Sequence, residues 1–398
     1  MTPKGLTYHL SLPHVLRQKL VPHFQQWRAL KVLRYEEVVQ PPWTRTSPSV
    51  EIQPLLSGIC GSDTGLLQGH SSPYLASLTR FPAVLGHEVV GRVVKDTPWW
   101  SKDSLVIINP ALSCASLSLN DPCPACRQNH PDFCYYRGRH DLGLLIGFHS
   151  LFPGGFAQRM WVPPSQVYAI PPELPIKRAV FAEPLSIVLH GLSHIKWDHV
   201  QRILVIGSGP IGLLTLFALR EQKLSPELVM AVARYPLQQQ WAKRLGAEVI
   251  ADLKDPAITE ITGAPYPPLW NAPAWRSHGF DVVIDAAGAL SSLQGAVTTV
   301  RPGGQVLLLG AAGEMHWDFT PIWSRNITVY GTYGYGPKPH QTFHEALTLL
   351  HQSTIPIEQL ITHTFQLDQY RQAFKTLWDK HQGVIKVCFQ IDDSSPSW

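Results

Sequence analysis

No apolar run in this chain of 398 residues reaches the roughly 20 residues that a membrane-spanning helix needs, so no membrane role is expected. Charge is scarce too: Asp, Glu, Lys and Arg make up 16% of the residues, and the net charge is only +4. The lysines and arginines are scattered, and no basic run carries interleaved aromatics, which argues against nucleic acid as a partner. The opening stretch MTPKGLTYHLSLPHVLRQKL has histidines and a proline where a secretory signal needs an apolar core, so the cytoplasm is the expected location. Internal repeats are absent. Cysteine is sparse, with six in the whole chain.

What is present is ample material for a core, with 44% hydrophobic residues. The length exceeds that of one usual core and predicts two domains. Thirty-five prolines and 13 tryptophans point to many fixed loops and extended segments. Four of the cysteines fall between Cys114 and Cys134. In a reducing compartment such clustering reads as metal binding before disulfides.

The fold class expected is α/β in two parts. Residues 1–30 carry no usable motif and read as an extension or an added first strand. From about 31 to 170, short extended runs such as VEIQPLL and LVIINP are broken by Pro and Gly, the texture of an antiparallel β-domain. Around Glu183 helical periodicity takes over. RILVIGSGPIGLLTLFALREQ then opens an alternation of apolar strands and helices that predicts a doubly wound parallel sheet. The change of texture divides the chain into residues 1–186, completed by 328–398, and residues 187–327. Near 262–275 the sequence is too proline-rich for either element and reads as an inserted surface loop.

Gly207, Gly209 and Gly212, with Pro210 and Ile211 between the last two, form the turn GSGPIG after the strand ILVI and before a helix. In that context the glycines serve a tight turn, close approach to a pyrophosphate and close strand–helix packing, with the phosphates at the helix N-terminus. A second strand ending in an acid would suit NAD, because the carboxylate accepts hydrogen bonds from the ribose hydroxyls. Here Ala233 stands there, followed by Arg234 and Tyr235. NADP(H) is therefore expected over NAD(H), since an arginine pairs with a 2′-phosphate. The alternative is a solvated Arg234 and an enzyme that accepts either. Gly288 and Gly310 end two later strands at the edge where cofactors bind, and equally serve as plain strand-terminating turns.

Three separated segments carry metal-ligand chemistry: GICGSD with Cys60, FPAVLGHEVVG with His87 and Glu88, and AEPLSIVLHG with Glu183. In this order, with the glycine turn after them, they resemble the zinc-containing medium-chain dehydrogenase/reductase family, most closely its sorbitol, threonine and glucose dehydrogenase branch. The resemblance runs from about residue 31 to the C-terminus and implies a GroES-like catalytic domain joined to a Rossmann domain. It implies Cys60, His87 and Glu183 as ligands of a catalytic zinc that leaves a position open, with Glu88 able to reach the metal directly or through water. Ser62 resembles the hydroxyl that bonds the substrate oxygen, and Asp63 a group that orients a ligand. The implied activity is hydride transfer between an alcohol or polyol and a nicotinamide, zinc polarising the substrate oxygen. A small-molecule substrate and a homo-oligomeric state are further implications. One departure is Gly65, which occupies the place of the family's relay histidine; His70 is the candidate substitute.

Cys114, Cys123, Cys126 and Cys134 form C-x8-C-x2-C-x7-C, which resembles the family's structural-zinc lobe with a longer first gap. A lobe without metal and a redox dithiol at Cys123 and Cys126 are the other readings. FPGGFAQRMWVP resembles a family strand in which Gln158 replaces the usual acid, and Cys388 reads as a core residue. Two rival functions exist on the same fold: a zinc-free quinone or enoyl reductase, against which the set Cys60, His87 and Glu183 speaks, and a non-catalytic NADPH-binding sensor or structural protein.

Overall fold

The computed structural model describes residues 2–10, 30–138, 142–264, 266, 275–311 and 313–391. Contacts divide the chain into two units, Met1–Ser186 with Gly334–Trp398, and Ile187–Tyr333. Among the described residues no helix is long and apolar enough to cross a membrane.

The first unit is β-rich, and its central strand is Val50–Gly58. Val50 and Ile52 point into the core while Glu51 and Gln53 do not, the alternation that an antiparallel sheet with one covered face produces. Pro54 lacks an N–H for the ladder, and the register with the strand Glu88–Val93 shifts between Pro54 and Leu56. The strands Leu105–Ile108 and Val167–Ala169 extend the sheet antiparallel on one side. On the other, the last strand of the chain, Lys386–Gln390, pairs antiparallel with Val50–Gly58 and parallel with Ile361–Phe365.

The early segment does contribute an added strand. Lys4–Tyr8 pairs with Leu33–Glu37 and with Ala83–Val84. Gln158, where an acid was expected, accepts a hydrogen bond from the Lys4 N–H at 2.9 Å and so ties this strand down. Residues 11–29, and most of the proline-rich stretch at 262–275, lie outside the described residues.

The second unit has the expected parallel sheet. Its strands, in sequence order, are Arg202–Ile206, Leu228–Val232, Glu248–Ile250, Phe280–Asp285, Val300–Leu308 and Thr328–Gly331. Spatially they run third, second, first, fourth, fifth, sixth, all parallel. That is the Rossmann order, whose switch point lies beside the first strand. Near-continuous apolar runs such as RILVI follow from burial on both faces.

Asp281 fastens the lower edge of this sheet. Its Oδ2 accepts the N–H groups of Gln201 and Arg202, each at 2.9 Å, and its Oδ1 accepts Arg301 Nε at 2.6 Å. Burial alone would raise the carboxyl's pKa, but the Arg301 hydrogen bond and charge and the two amides outweigh it and hold the pKa below the usual range. A depressed folded-state pKa means that this stabilisation is complete above the unfolded value and is lost as pH falls through the folded one. Asp281→Asn is expected to cost about 1 kcal/mol, after allowance for solvent screening. Denaturant titrations from pH 7 down to pH 3 check it: the gap between wild type and variant should narrow at the acid end.

Candidate functional site

Strand pairing places the first set of ligand-type side chains. Gly58 faces Glu88 across the antiparallel ladder, which brings Cys60, two residues on, against His87. Cys60 is the N-cap of the helix Gly61–Leu67, and Asp63 Oδ2 accepts its N–H at 2.9 Å. That bond fixes the cysteine backbone and buries Asp63 completely. Cys60, His87 and Glu88 each offer a donor atom, all within 4.8 Å of one another. Ser62 Oγ lies 3.4 Å from His87 Nε2, and Asp63 Oδ1 lies 3.6 Å from His87 Nδ1.

Glu183, in the first turn of the helix Ala182–Leu192, stands outside this tight trio. Its Oε1 accepts the hydroxyl of Tyr335 at 2.5 Å. Glu88 is ion-paired with Lys386, whose ammonium also donates to the Ile59 carbonyl at 3.1 Å. Sequence reasoning missed both Tyr335 and Lys386. The available signals were a lysine inside the apolar strand VIKVCF and a tyrosine between two glycines.

Cys60, Asp63, Glu88 and Glu183 thus crowd around one histidine and one lysine. Burial would lower the His87 pKa, yet Asp63, Cys60 and Glu183 hold it well above the usual range. Burial raises Asp63, with His87 and the Cys60 amide opposing. Glu183 is pushed up to about 7 by burial, with His87 and Tyr335 opposing and Glu88 adding. Lys386 is held charged against its burial by Glu88, Cys60 and Cys388. Buried atoms His87 Nδ1 and Asp63 Oδ1 have no hydrogen-bond partner among the described residues. A thiol, an imidazole and carboxylates sharing an excess of negative charge fit a divalent cation, and the mixed S, N, O set fits zinc.

The second cysteine group is equally compact. Cys114, Cys123, Cys126 and Cys134 lie within 4.8 Å of one another, and all are free thiols. Cys114 Sγ is 3.6 Å from Cys134 Sγ, which is 4.0 Å from Cys123 Sγ. Tetrahedral zinc with Zn–S bonds of about 2.3 Å requires sulfurs about 3.8 Å apart, so the four fit that geometry. Backbone amides already point at the sulfurs, Cys123 N–H at Cys114 and Tyr135 N–H at Cys123, both 3.4 Å. Cys114, Cys123 and Cys134 also pack on the core of the sheet beside Val106 and Ile108. Cys388 is fully buried in the last strand, and burial pushes its thiol up to about 12.

In the second unit, the turn Gly207–Gly212 joins the strand Arg202–Ile206 to the helix Pro210–Glu221. Gly207 has φ +97°, and a Cβ on Gly212 would collide with the Gly207 carbonyl oxygen. A Cβ on Gly209 would meet nothing within 4 Å, which leaves the helix N-terminus, with its free amides, open to a ligand. Pro210 takes the first helical position and Ile211 the next. Gly288 and Gly310 abut: a side chain on Gly310 would run into the Gly288 backbone. Asp285, a further residue missed in the sequence, fixes that turn by accepting the N–H groups of Ala287 and Gly288 at 2.9 and 3.1 Å. Arg234 is exposed just past the second strand and has no ion pair among the described residues. Gly65 opens onto unfilled space, and His70 is exposed, its backbone N–H closing on the Gly65 carbonyl at 2.8 Å.

Residues 47–172 match the alcohol dehydrogenase GroES-like domain, and residues 210–352 match the zinc-binding dehydrogenase domain. This chain belongs to the zinc-type medium-chain dehydrogenase family. Its relatives place it in the sorbitol-like branch of that family. (R,R)-butanediol dehydrogenase of Saccharomyces cerevisiae is 26% identical over 373 residues, covering 87% of this chain and 92% of the relative. Sorbitol dehydrogenase of Arabidopsis thaliana is 28% identical over 342 residues, covering 84% and 86%. The fold agrees with that of 2R,3R-butanediol dehydrogenase from Bacillus subtilis, at TM-score 0.71 and 22% identity, over 98% of this chain and 100% of that one. As a zinc-type dehydrogenase, the chain is an oxidoreductase on a GroES-like and a Rossmann fold.

The two glycines of the turn should separate by experiment. Gly212→Ala is expected to lose about 1–3 kcal/mol, the scale of overpacking against backbone. Gly209→Ala, at an N-cap whose φ of −75° an alanine adopts and with nothing within 4 Å of its Cβ, should stay within about 1 kcal/mol of wild type. Thermal denaturation of the two variants side by side checks this.

Proposed function

We propose that the chain is a zinc-dependent dehydrogenase that transfers a hydride between an alcohol or polyol, or its carbonyl counterpart, and NADP(H). The observation that carries this reading is the Cys60–His87–Glu88 cluster, with His87 and Glu88 buried and Glu183 beside it. Cys60, His87 and Glu183 would hold the catalytic zinc, with Glu88 in reach and pinned by Lys386. The four cysteines Cys114, Cys123, Cys126 and Cys134 would hold a structural one. Zinc in the first site supplies Lewis acidity toward the substrate oxygen, and the nicotinamide takes or gives the hydride.

The protein's own groups do the remaining work. Ser62, with its hydroxyl beside His87 Nε2, would hydrogen-bond the substrate oxygen. Asp63 holds the Cys60 backbone and stands next to His87, keeping two ligands oriented. Gly207, Gly209 and Gly212, together with Gly288 and Gly310, shape the cofactor turns, and the open space at Gly209 suits the pyrophosphate. Exposed Arg234, following buried Ala233, supplies a guanidinium in place of the ribose-binding acid and favours the 2′-phosphate. The sorbitol, butanediol and threonine dehydrogenases among the relatives favour vicinal diols, polyols or amino alcohols as the substrate class.

Cys60→Ala is expected to lose one of two zinc ions per chain and roughly a thousandfold or more in turnover, the worth of several kcal/mol of Lewis-acid stabilisation. Metal analysis with a panel of polyols, vicinal diols and secondary alcohols tests it. Full activity in that variant would sink the zinc chemistry, and two zincs with no turnover of any alcohol would leave a binding protein.

Arg234→Ala should raise KM for NADP by about 10- to 100-fold, as expected for lost charge-assisted hydrogen bonds, while KM for NAD changes little. Equal effects on the two cofactors, or a wild-type preference for NAD, would remove the basis for NADP.

A further inference from the structure

Tyr335, like Lys386, brings the returning chain to the cluster of ligand-type side chains. It lies between Gly334 and Gly336, both in the left-handed region at φ +70° and +81°, a conformation that side-chain-bearing residues rarely adopt. This Gly-Tyr-Gly turn is locked from behind. Thr342 Oγ1 donates to the Tyr335 carbonyl at 2.8 Å, and the ring of Phe343 packs edge-on at 4.9 Å. Tyr335 is 2% exposed and Phe343 fully buried, so the phenol has one fixed direction.

That direction ends at Glu183 Oε1, 2.5 Å away across 152 residues of sequence. A carboxylate on a helix can rotate about its last torsion and present either oxygen. With Oε1 occupied by a neutral donor, rotation is stopped and Oε2 is the atom left to meet a cation. We propose that Tyr335 is a positioning residue of the catalytic centre: its hydroxyl fixes the Glu183 carboxylate so that Oε2 faces the metal. The inference rests on the reading of Glu183 as a zinc ligand.

The test uses the full chain loaded with zinc, and with cobalt in its place, in Tyr335→Phe, Glu183→Gln and the double variant. Metal affinity of the catalytic site is measured by chelator competition, cobalt coordination by its visible absorption, and kcat and KM with a diol substrate. Tyr335→Phe is expected to weaken metal binding at that site by about 10- to 100-fold, as loss of a ligand's hydrogen-bond partner does. The cobalt bands should shift, kcat should fall more than KM changes, and the four-cysteine lobe should keep its metal. In the Glu183→Gln background the tyrosine change should add nothing.

Wild-type affinity and bands in Tyr335→Phe, with both altered in Glu183→Gln, would overturn the positioning role and leave the ligand reading intact. No effect of Glu183→Gln on either measurement would instead remove the ligand reading. Should Tyr335→Phe fail to fold, 3-fluorotyrosine at position 335 keeps the shape and changes only the acidity of the phenol. Cobalt bands unmoved by that replacement would overturn the proposal.

Discussion

A buried excess of negative charge is the constraint around which the first unit is arranged. Cys60, Asp63, Glu88 and Glu183 converge with one histidine and one lysine as the cationic partners. Each unpaired ion in such surroundings costs several kcal/mol. Lys386 answers Glu88, and Tyr335 and the Cys60 amide supply neutral donors to Glu183 and Asp63. The sulfur, nitrogen and oxygen donors gathered there suit a divalent cation.

Long-range pairing makes that convergence possible. The ladder between Val50–Gly58 and Glu88–Val93 sets Cys60 against His87. The last strand of the chain brings Lys386 to the same place by pairing with Val50–Gly58 on its other edge. The cluster thus depends on one central strand paired on both sides, and a register slip in either ladder would remove a ligand or its counter-charge. The four-cysteine lobe shares one hydrophobic cluster with that sheet, Cys114, Cys123 and Cys134 lying in the same core as Val106 and Ile108. A metal there would staple a loop that has little core of its own.

The second unit shows how little side-chain chemistry a dinucleotide turn requires. Its glycines act by what they leave out: Gly212 lets the helix approach the Gly207 carbonyl, and Gly209 leaves the helix end uncovered. Arg234, just past the second strand, is exposed and has no ion pair among the described residues. The same economy holds at Gly65. A side chain there would meet nothing within 4 Å.

By itself the sequence determined the strand–turn–helix rhythm, the glycine turn, the metal-type residues Cys60, His87, Glu88 and Glu183, and the four clustered cysteines. These are legible because period, turn chemistry and spacing are local properties. Only the tertiary structure decided which of them meet. Cys60, His87 and Glu88 form the tight trio while Glu183 stands apart on its tyrosine. Lys386 and Tyr335 were invisible for the same reason. Lys386 sits in an apolar strand, where a sequence gives no hint of a partner some 300 residues earlier, and Tyr335 in a glycine turn that reads as a loop. A side chain's electrostatic partner is set by strand register and chain return, and neither leaves a mark in the neighbouring residues.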